Sequence, residues 1–179
     1  RLVAATNNAP DVFKIDVFDF IRTNLEKITG KKYGENAETT RIFRIILDHI
    51  RASLFIMAAG VRPSNTEQGY VLRRLLRRSM LHINALKRDV SDGSFLSFGW
   101  IIESFVKVYE EQYPHLKDAE KNVQNSIIEE ENRFNITLRQ GLHELEKMGN
   151  TIDAFTLFTT YGFPLELTAE IAQEKGITI

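Results

Sequence analysis

The sequence predicts an all-α protein, a multi-helix domain of about six to seven helices with one long helix. Three observations lead there. Apolar residues recur at i, i+3, i+4 spacing in window after window, as on one buried face of a helix. No segment alternates cleanly between apolar and polar residues, as a half-buried strand does. Turn-forming residues separate most of the periodic windows: Gly30, Gly34, Asn36, Gly60, Pro63, Pro114, Gly149 and Asn150.

Residues 1–10 are turn-rich towards Pro10 and form a lead-in. From Asp11, the series Val12, Phe13, Val17, Phe20, Ile21, Leu25 and Ile28 predicts a first helix, with Gly30 at its C-terminal cap. The polar residues 31–38 form a loop. A second helix spans Glu38 to Ala59, and Ile42, Phe43, Ile45, Ile46, Ile50, Leu54, Phe55 and Met57 make it apolar over more than half its surface. It belongs deep in the core, and Gly60 ends it. Ser64-Asn65-Thr66-Glu67 fits the S-x-x-E capping box, which supplies acceptors to the free N–H groups of a new helix. In that helix Val71, Leu72, Leu75, Leu76, Met80 and Ile83 fall on one face. Arg73, Arg74, Arg77 and Arg78 span about 140° of the other, at about 100° per residue. The helix fades near Leu86, and residues 87–94 are a connection.

Phe95 to Tyr113 reads as a buried helix closed by Pro114. Lys117 to Met148 is a long polar helix with a thin seam of Val123, Ile127, Phe134, Leu138, Leu142 and Leu145. Glu129, Glu130 and Glu131 are expected on its solvated face. Thr151 is the expected N-cap of a short helix ending at Gly162, with Asp153 in the first turn favoured by the dipole. Pro164 opens a last helix that ends at Gly176.

Composition narrows the function. The 179 residues suffice for one domain or two small ones, and 43% hydrophobic content supports a core. The 23 basic and 24 acidic residues nearly cancel. That excludes a globally basic nucleic-acid binder but leaves room for a local basic patch. Without cysteine there is no disulfide and no thiolate metal site, which is compatible with a reducing compartment. No apolar run reaches about eighteen residues, so neither a transmembrane helix nor a membrane partner is expected. The chain starts at Arg1 without a signal-peptide pattern and reads as a piece of a longer chain.

No catalytic residue is assigned. His49, His82, His115 and His143 form no H-x-x-x-H or H-E-x-x-H pair, so no metal site is expected. His49 beside Asp48 has the makings of a general base, but on a buried helix the structural reading is preferred. Gly60, Gly69 and Gly93 are isolated and make no phosphate loop. The arginines remain. One reading pairs them with the glutamates of the long helix as an ordinary exposed face. The other makes them a phosphate-contacting face, since arginine suits bidentate phosphate contact. Asn65 and Thr66 at the helix start add uncharged donors next to a positive dipole end.

The segment RIILDHIRASLFIMAAGVRPSNTEQGYVLRRLLRRSM, Arg44 to Met80, resembles the most distinctive block of the bacterial-type alanyl-tRNA synthetases. DVFKIDVF (Asp11 to Phe18), EEENRFNITLRQGL (Glu129 to Leu142) and AFTLFTTYGFPLELT (Ala154 to Thr168) are similar to three further blocks of that family, in the same order. The resemblance covers essentially the whole chain and implies its middle, helical part. It implies a 1–179 domain that recognises the tRNA acceptor stem, above all a G·U wobble pair, with residues 1–35 linking from a catalytic domain. Two sub-bundles, 1–114 and 115–179, are a further expectation. It implies ATP, Mg and Zn for the full-length enzyme and none of them in this segment. Partners would be alanine-specific tRNA and the remaining domains of the same cytoplasmic synthetase.

By the same resemblance Asn65 reads the wobble pair from one side. The family uses an Asp on the other, and here FTTYGFP puts Thr159 at that position. A hydroxyl both donates and accepts but lacks the carboxylate's charge. Glu166, early in the next helix, is a candidate substitute. The candidate tRNA-binding set is thus Asn65, Thr66, Arg73, Arg74, Arg77, Arg78, Thr159 and Glu166. The competing hypothesis is a helical scaffold whose arginine face docks an acidic protein partner.

Overall fold

The computed structural model describes residues 2–9, 11–87, 98–148 and 153–161, with positions 163, 165, 168, 169, 172, 173 and 176. Side chains at 87, 146 and 158–161 are excepted. Among the described residues every regular element is helical, as the sequence predicts. The α-helices are α1 (Leu2–Thr6), α2 (Asp16–Thr29), α3 (Ala37–Ala58), α4 (Glu67–Lys87), α5 (Phe98–Tyr109), α6 (His115–Met148) and α7 (Ala154–Tyr161). The chain forms two compact units, Arg1–Ile128 and Glu129–Ile179, and α6 runs from one into the other. No described helix is long and apolar enough to cross a membrane.

In the first unit α3 lies at the centre, packed against α2, α4 and α5. Its Phe43, Ile46, Leu47, Ile50 and Leu54 are fully buried. Burying each such side chain contributes about 1.5–3 kcal/mol relative to exposure. Asn36 starts α3: its Oδ1 accepts from Thr39 N–H at 2.8 Å. Gly30 ends α2, its N–H on the Glu26 carbonyl at 2.9 Å.

The predicted first helix is shorter than its periodicity suggests. Asp11 accepts from Phe13 N–H at 3.0 Å and starts a 3₁₀ turn, Val12–Lys14. Ile15 is extended (φ −80°, ψ 161°), and α2 begins only at Asp16. The reason is tertiary. The other Asp11 oxygen accepts from Tyr33 Oη and from Arg44 Nη2, the latter at 2.8 Å. Arg44 also donates to Tyr33 Oη at 2.8 Å and lies over the Phe13 ring. Burial pushes the Asp11 carboxyl up, but these donors outweigh it and hold the pKa below its usual value. The cluster ties the lead-in and the 31–36 loop to α3.

In the second unit Phe134, Leu145, Leu157 and Phe163 are buried to 1% exposure or less. Gly141 sits inside α6 because a Cβ there would come within 2.2 Å of the Phe163 ring. Two expectations fail here. Glu130 is 1% exposed and does not lie on a solvated face; only its neighbours Glu129 and Glu131 stay at least partly exposed. The cap of α7 is Asp153, whose Oδ1 accepts from Thr156 N–H at 2.9 Å. Its carboxyl is held below the usual range by Thr156. The proposed cap Thr151 lies outside the described residues, as do the connection 88–94 and Pro164.

Candidate nucleic-acid interface

The candidate site grows from the loop between α3 and α4. Ser64 N–H donates to the Gly69 carbonyl at 3.1 Å and closes the loop on itself. The Ser64 hydroxyl donates to the Thr66 carbonyl at 2.9 Å and accepts from Thr66 N–H at 3.3 Å. The capping box expected from Ser64 to Glu67 therefore does not form; the serine makes a turn one residue earlier. Thr66 instead starts the helix, its carbonyl accepting from Tyr70 N–H at 3.0 Å. Glu67 takes a left-handed φ of 51°, which costs a side-chain-bearing residue roughly 1–2 kcal/mol. The loop can be this tight because residue 69 has no side chain. A Cβ there would meet Ser64 Oγ at 2.2 Å and the Arg62 carbonyl at 2.6 Å.

The consequence is an exposed Asn65 and Thr66 beside the first turns of α4. Asn65 Oδ1 accepts from Arg73 Nη1, two turns into the helix. Sequence reasoning placed both residues in the set without linking them. It missed Arg62, an exposed cation three residues before Asn65 with no pattern to mark it. Arg62 lines a cleft of about 220 Å³ together with Gly60 and Val61 and with Asn122 and Ser126 of α6.

The arginine face is not uniform. Arg74 is exposed, and Arg73 and Arg78 are half-buried. Arg77 is only 9% exposed, whereas the apolar Val71 is 52% exposed. The sequence assigned these two residues to the opposite sides. The buried arc of α4 takes in Ser79 and His82 as well as Leu72, Leu76, Met80 and Ile83. A long arginine stem can lie along such an arc while its head stays polar.

On the facing helix, His49 Nδ1 lies 3.1 Å from Asp48 Oδ2. Burial lowers the His49 pKa, Asp48 raises it, and Arg78 and Arg74 lower it further. His82 is 4% exposed, and burial, with Arg41 and Arg78 nearby, pushes its pKa down to about 4. Both imidazoles are thus held neutral, and neither is primed as a base near physiological pH. Among the described residues no group of three His, Cys, Asp or Glu side chains could hold a metal ion.

In the second unit, Thr159 lies on α7 with its side chain outside the described residues, and Glu166 is outside them altogether. The structure therefore brings together Asn65, Thr66 and Arg73, and sets Arg74 and Arg78 further along the same helix.

A tight loop that presents an amide beside a cation-bearing helix, within a wholly helical scaffold, occurs here in a sequence that matches a known family from end to end. The profile of the tRNA synthetases class II (A) covers residues 1–179, and the chain belongs to that family. Its relatives within the family are alanine–tRNA ligases. It is 39% identical to the alanine–tRNA ligase of Caldicellulosiruptor saccharolyticus over 194 aligned positions. It is 41% identical to that of Lactobacillus helveticus and 39% identical to that of Clostridioides difficile. In each case the match takes in 100% of this chain and 21% of the relative, so the chain spans about a fifth of these ligases.

Proposed function

We propose that this chain is the tRNA-reading part of an alanine–tRNA ligase. It takes the acceptor stem so that the rest of the ligase, working in the cytoplasm, can join alanine to it at the expense of ATP. The observation that carries this reading is the exposed Asn65 on a strained, self-closed loop at the head of an arginine-bearing helix. The relatives' printed activity supplies the substrate class.

An A-form stem offers proteins a wide, shallow minor groove with base edges and 2′-hydroxyls. A G·U wobble pair leaves the guanine amino group there without its Watson–Crick partner. In this reading Asn65, aided by Thr66, meets the pair from one side and the 159–166 region meets it from the other. Arg74 and Arg78 contact phosphates and set the register, because phosphate contacts position while base contacts specify. Arg73 stands next to the reader, and the buried Arg77 holds the core side of α4. ATP, Mg and Zn belong to parts of the ligase that this chain does not span, and no step here is routed through them.

The test is a binding titration with two acceptor-stem RNA hairpins, one with a G·U pair and one with G·C in its place. Asn65→Ala should weaken the G·U hairpin roughly tenfold and leave the G·C hairpin nearly unchanged. Arg74→Glu should weaken both and lower the salt slope by about one. Equal losses on both hairpins for Asn65→Ala would sink the base-reading role. Tight capture of an acidic protein that survives RNase would favour the scaffold instead.

A further inference from the structure

The inference drawn here rests on Asn65 acting as a base reader, and it concerns how that reader is set. The asparagine side chain has two ends of opposite character, a carbonyl that accepts and an NH2 that donates. Arginine has donors only. The bond between Arg73 and Asn65 thus admits one orientation of the amide: Oδ1 towards Arg73 Nη1, Nδ2 away from it. Turning the amide over would set NH2 against guanidinium.

The backbone beneath is fixed as well. The Ser64–Gly69 bond, the Ser64–Thr66 bonds and the left-handed Glu67 leave the loop little freedom to carry Asn65 elsewhere. Arg73 itself is half-buried on the second turn of α4, one residue from the fully buried Leu72.

We propose that Arg73 is a positioning residue that locks the Asn65 amide as an outward donor. The RNA atom that Asn65 takes is then an acceptor: a base carbonyl, a ring nitrogen or a ribose hydroxyl. The exocyclic amino group of guanine is itself a donor, so its partner must come from another residue. The lock also explains selectivity. Wobble pairing displaces the pyrimidine, and with it the pyrimidine's acceptor, from the Watson–Crick position. A donor held in place responds to that displacement; an amide free to turn adapts to either pair.

The same two hairpins test this with four variants of the 179-residue chain. The quantity read is the ratio of G·U to G·C affinity. Asn65→Asp keeps the shape and pairs with Arg73 but has no NH2, so its ratio should fall as far as that of Asn65→Ala. Arg73→Leu should lower the ratio roughly fivefold, the size of one neutral hydrogen bond. Arg73→Lys, which keeps a donor, should recover part of it. In the Asn65→Ala background, Arg73→Leu should leave the ratio where it is, since there is no amide left to hold. An arginine that only contacts phosphate would instead lower both affinities and leave the ratio intact in either background, which overturns the proposal. So does an Asn65→Asp chain that keeps its ratio. If Asn65→Ala itself keeps the ratio, the base-reading role falls, and the lock falls with it. If Asn65→Ala loses the ratio while Arg73→Leu keeps it, only the lock is wrong.

Discussion

Gly69 shows how much of the site depends on an atom that is missing. The Arg62 carbonyl would lie 2.6 Å from a Cβ at this position, and a backbone carbonyl cannot rotate away as the Ser64 hydroxyl can. Gly69→Ala should therefore open the loop. Overpacking costs about 1–3 kcal/mol, and the better helix propensity of alanine returns up to about 1. The expected outcome is a net loss of about 1–2 kcal/mol in urea unfolding, together with loss of G·U selectivity. A variant with wild-type stability and selectivity would show that the loop's closure does not set Asn65. Asn65 was legible in the sequence because it stands in a turn at a helix start, flanked by arginines. Its bond to Arg73 was not. The two residues meet only because Glu67 goes left-handed and Gly69 lets the chain approach, and neither backbone angle is written in the pattern.

At the scale of elements, periodicity carried most of the fold. The second helix was expected from Glu38 to Ala59 and runs from Ala37 to Ala58, because its apolar repeat and its Asn36 cap are both local signals. Failures arose where a distant group decides the outcome. The break at Ile15 follows from Asp11 turning to Tyr33 and Arg44, which lie far along the chain. Burial of Arg77 and Glu130 overrides a rule that charges face water, and a helical wheel has no means of marking those exceptions. Gly141 was invisible for a similar reason: it reads as a weak point in a long helix, yet it makes room for Phe163. Gly141→Ala raises intrinsic propensity by about 1 kcal/mol and still should destabilise, by a net of about 1–2 kcal/mol, because Phe163 is 0% exposed and cannot withdraw. Adding Phe163→Leu should relieve the clash, so the double variant should lose less than the two single losses combined. Strict additivity in thermal melts would mean that the two positions do not press on each other.

Across the whole molecule, stability should depend on pH through His82, although the chain's net charge of −1 gives no hint of it. The imidazole is buried in α4, with Arg41, Arg78 and His49 opposing its protonation and Glu38 favouring it. Its folded pKa is about 4, below the ordinary value of 6.5. Between those values the unfolded chain binds a proton that the folded one refuses. The contribution is therefore complete above about pH 6.5 and is lost as the pH falls towards about 4. Its full size is at most about 3 kcal/mol. His49, also lowered, adds in the same direction. Trp100 is the single tryptophan and lies on α5 in the same compact unit, so its fluorescence follows the unfolding of the part that holds His82. Urea midpoints read this way should drop steeply from pH 7 to pH 4.5. In His82→Asn, which cannot take up the proton, the drop should be smaller by about 2 kcal/mol. If the variant and the parent fall in parallel, the acid sensitivity lies with the carboxylates, and His82 is charged at no cost. The expected result would tie the α3–α4 contact, on which the Asn65 loop is mounted, to a neutral imidazole. RNA binding should then weaken in mild acid for reasons of folding, before any RNA group titrates.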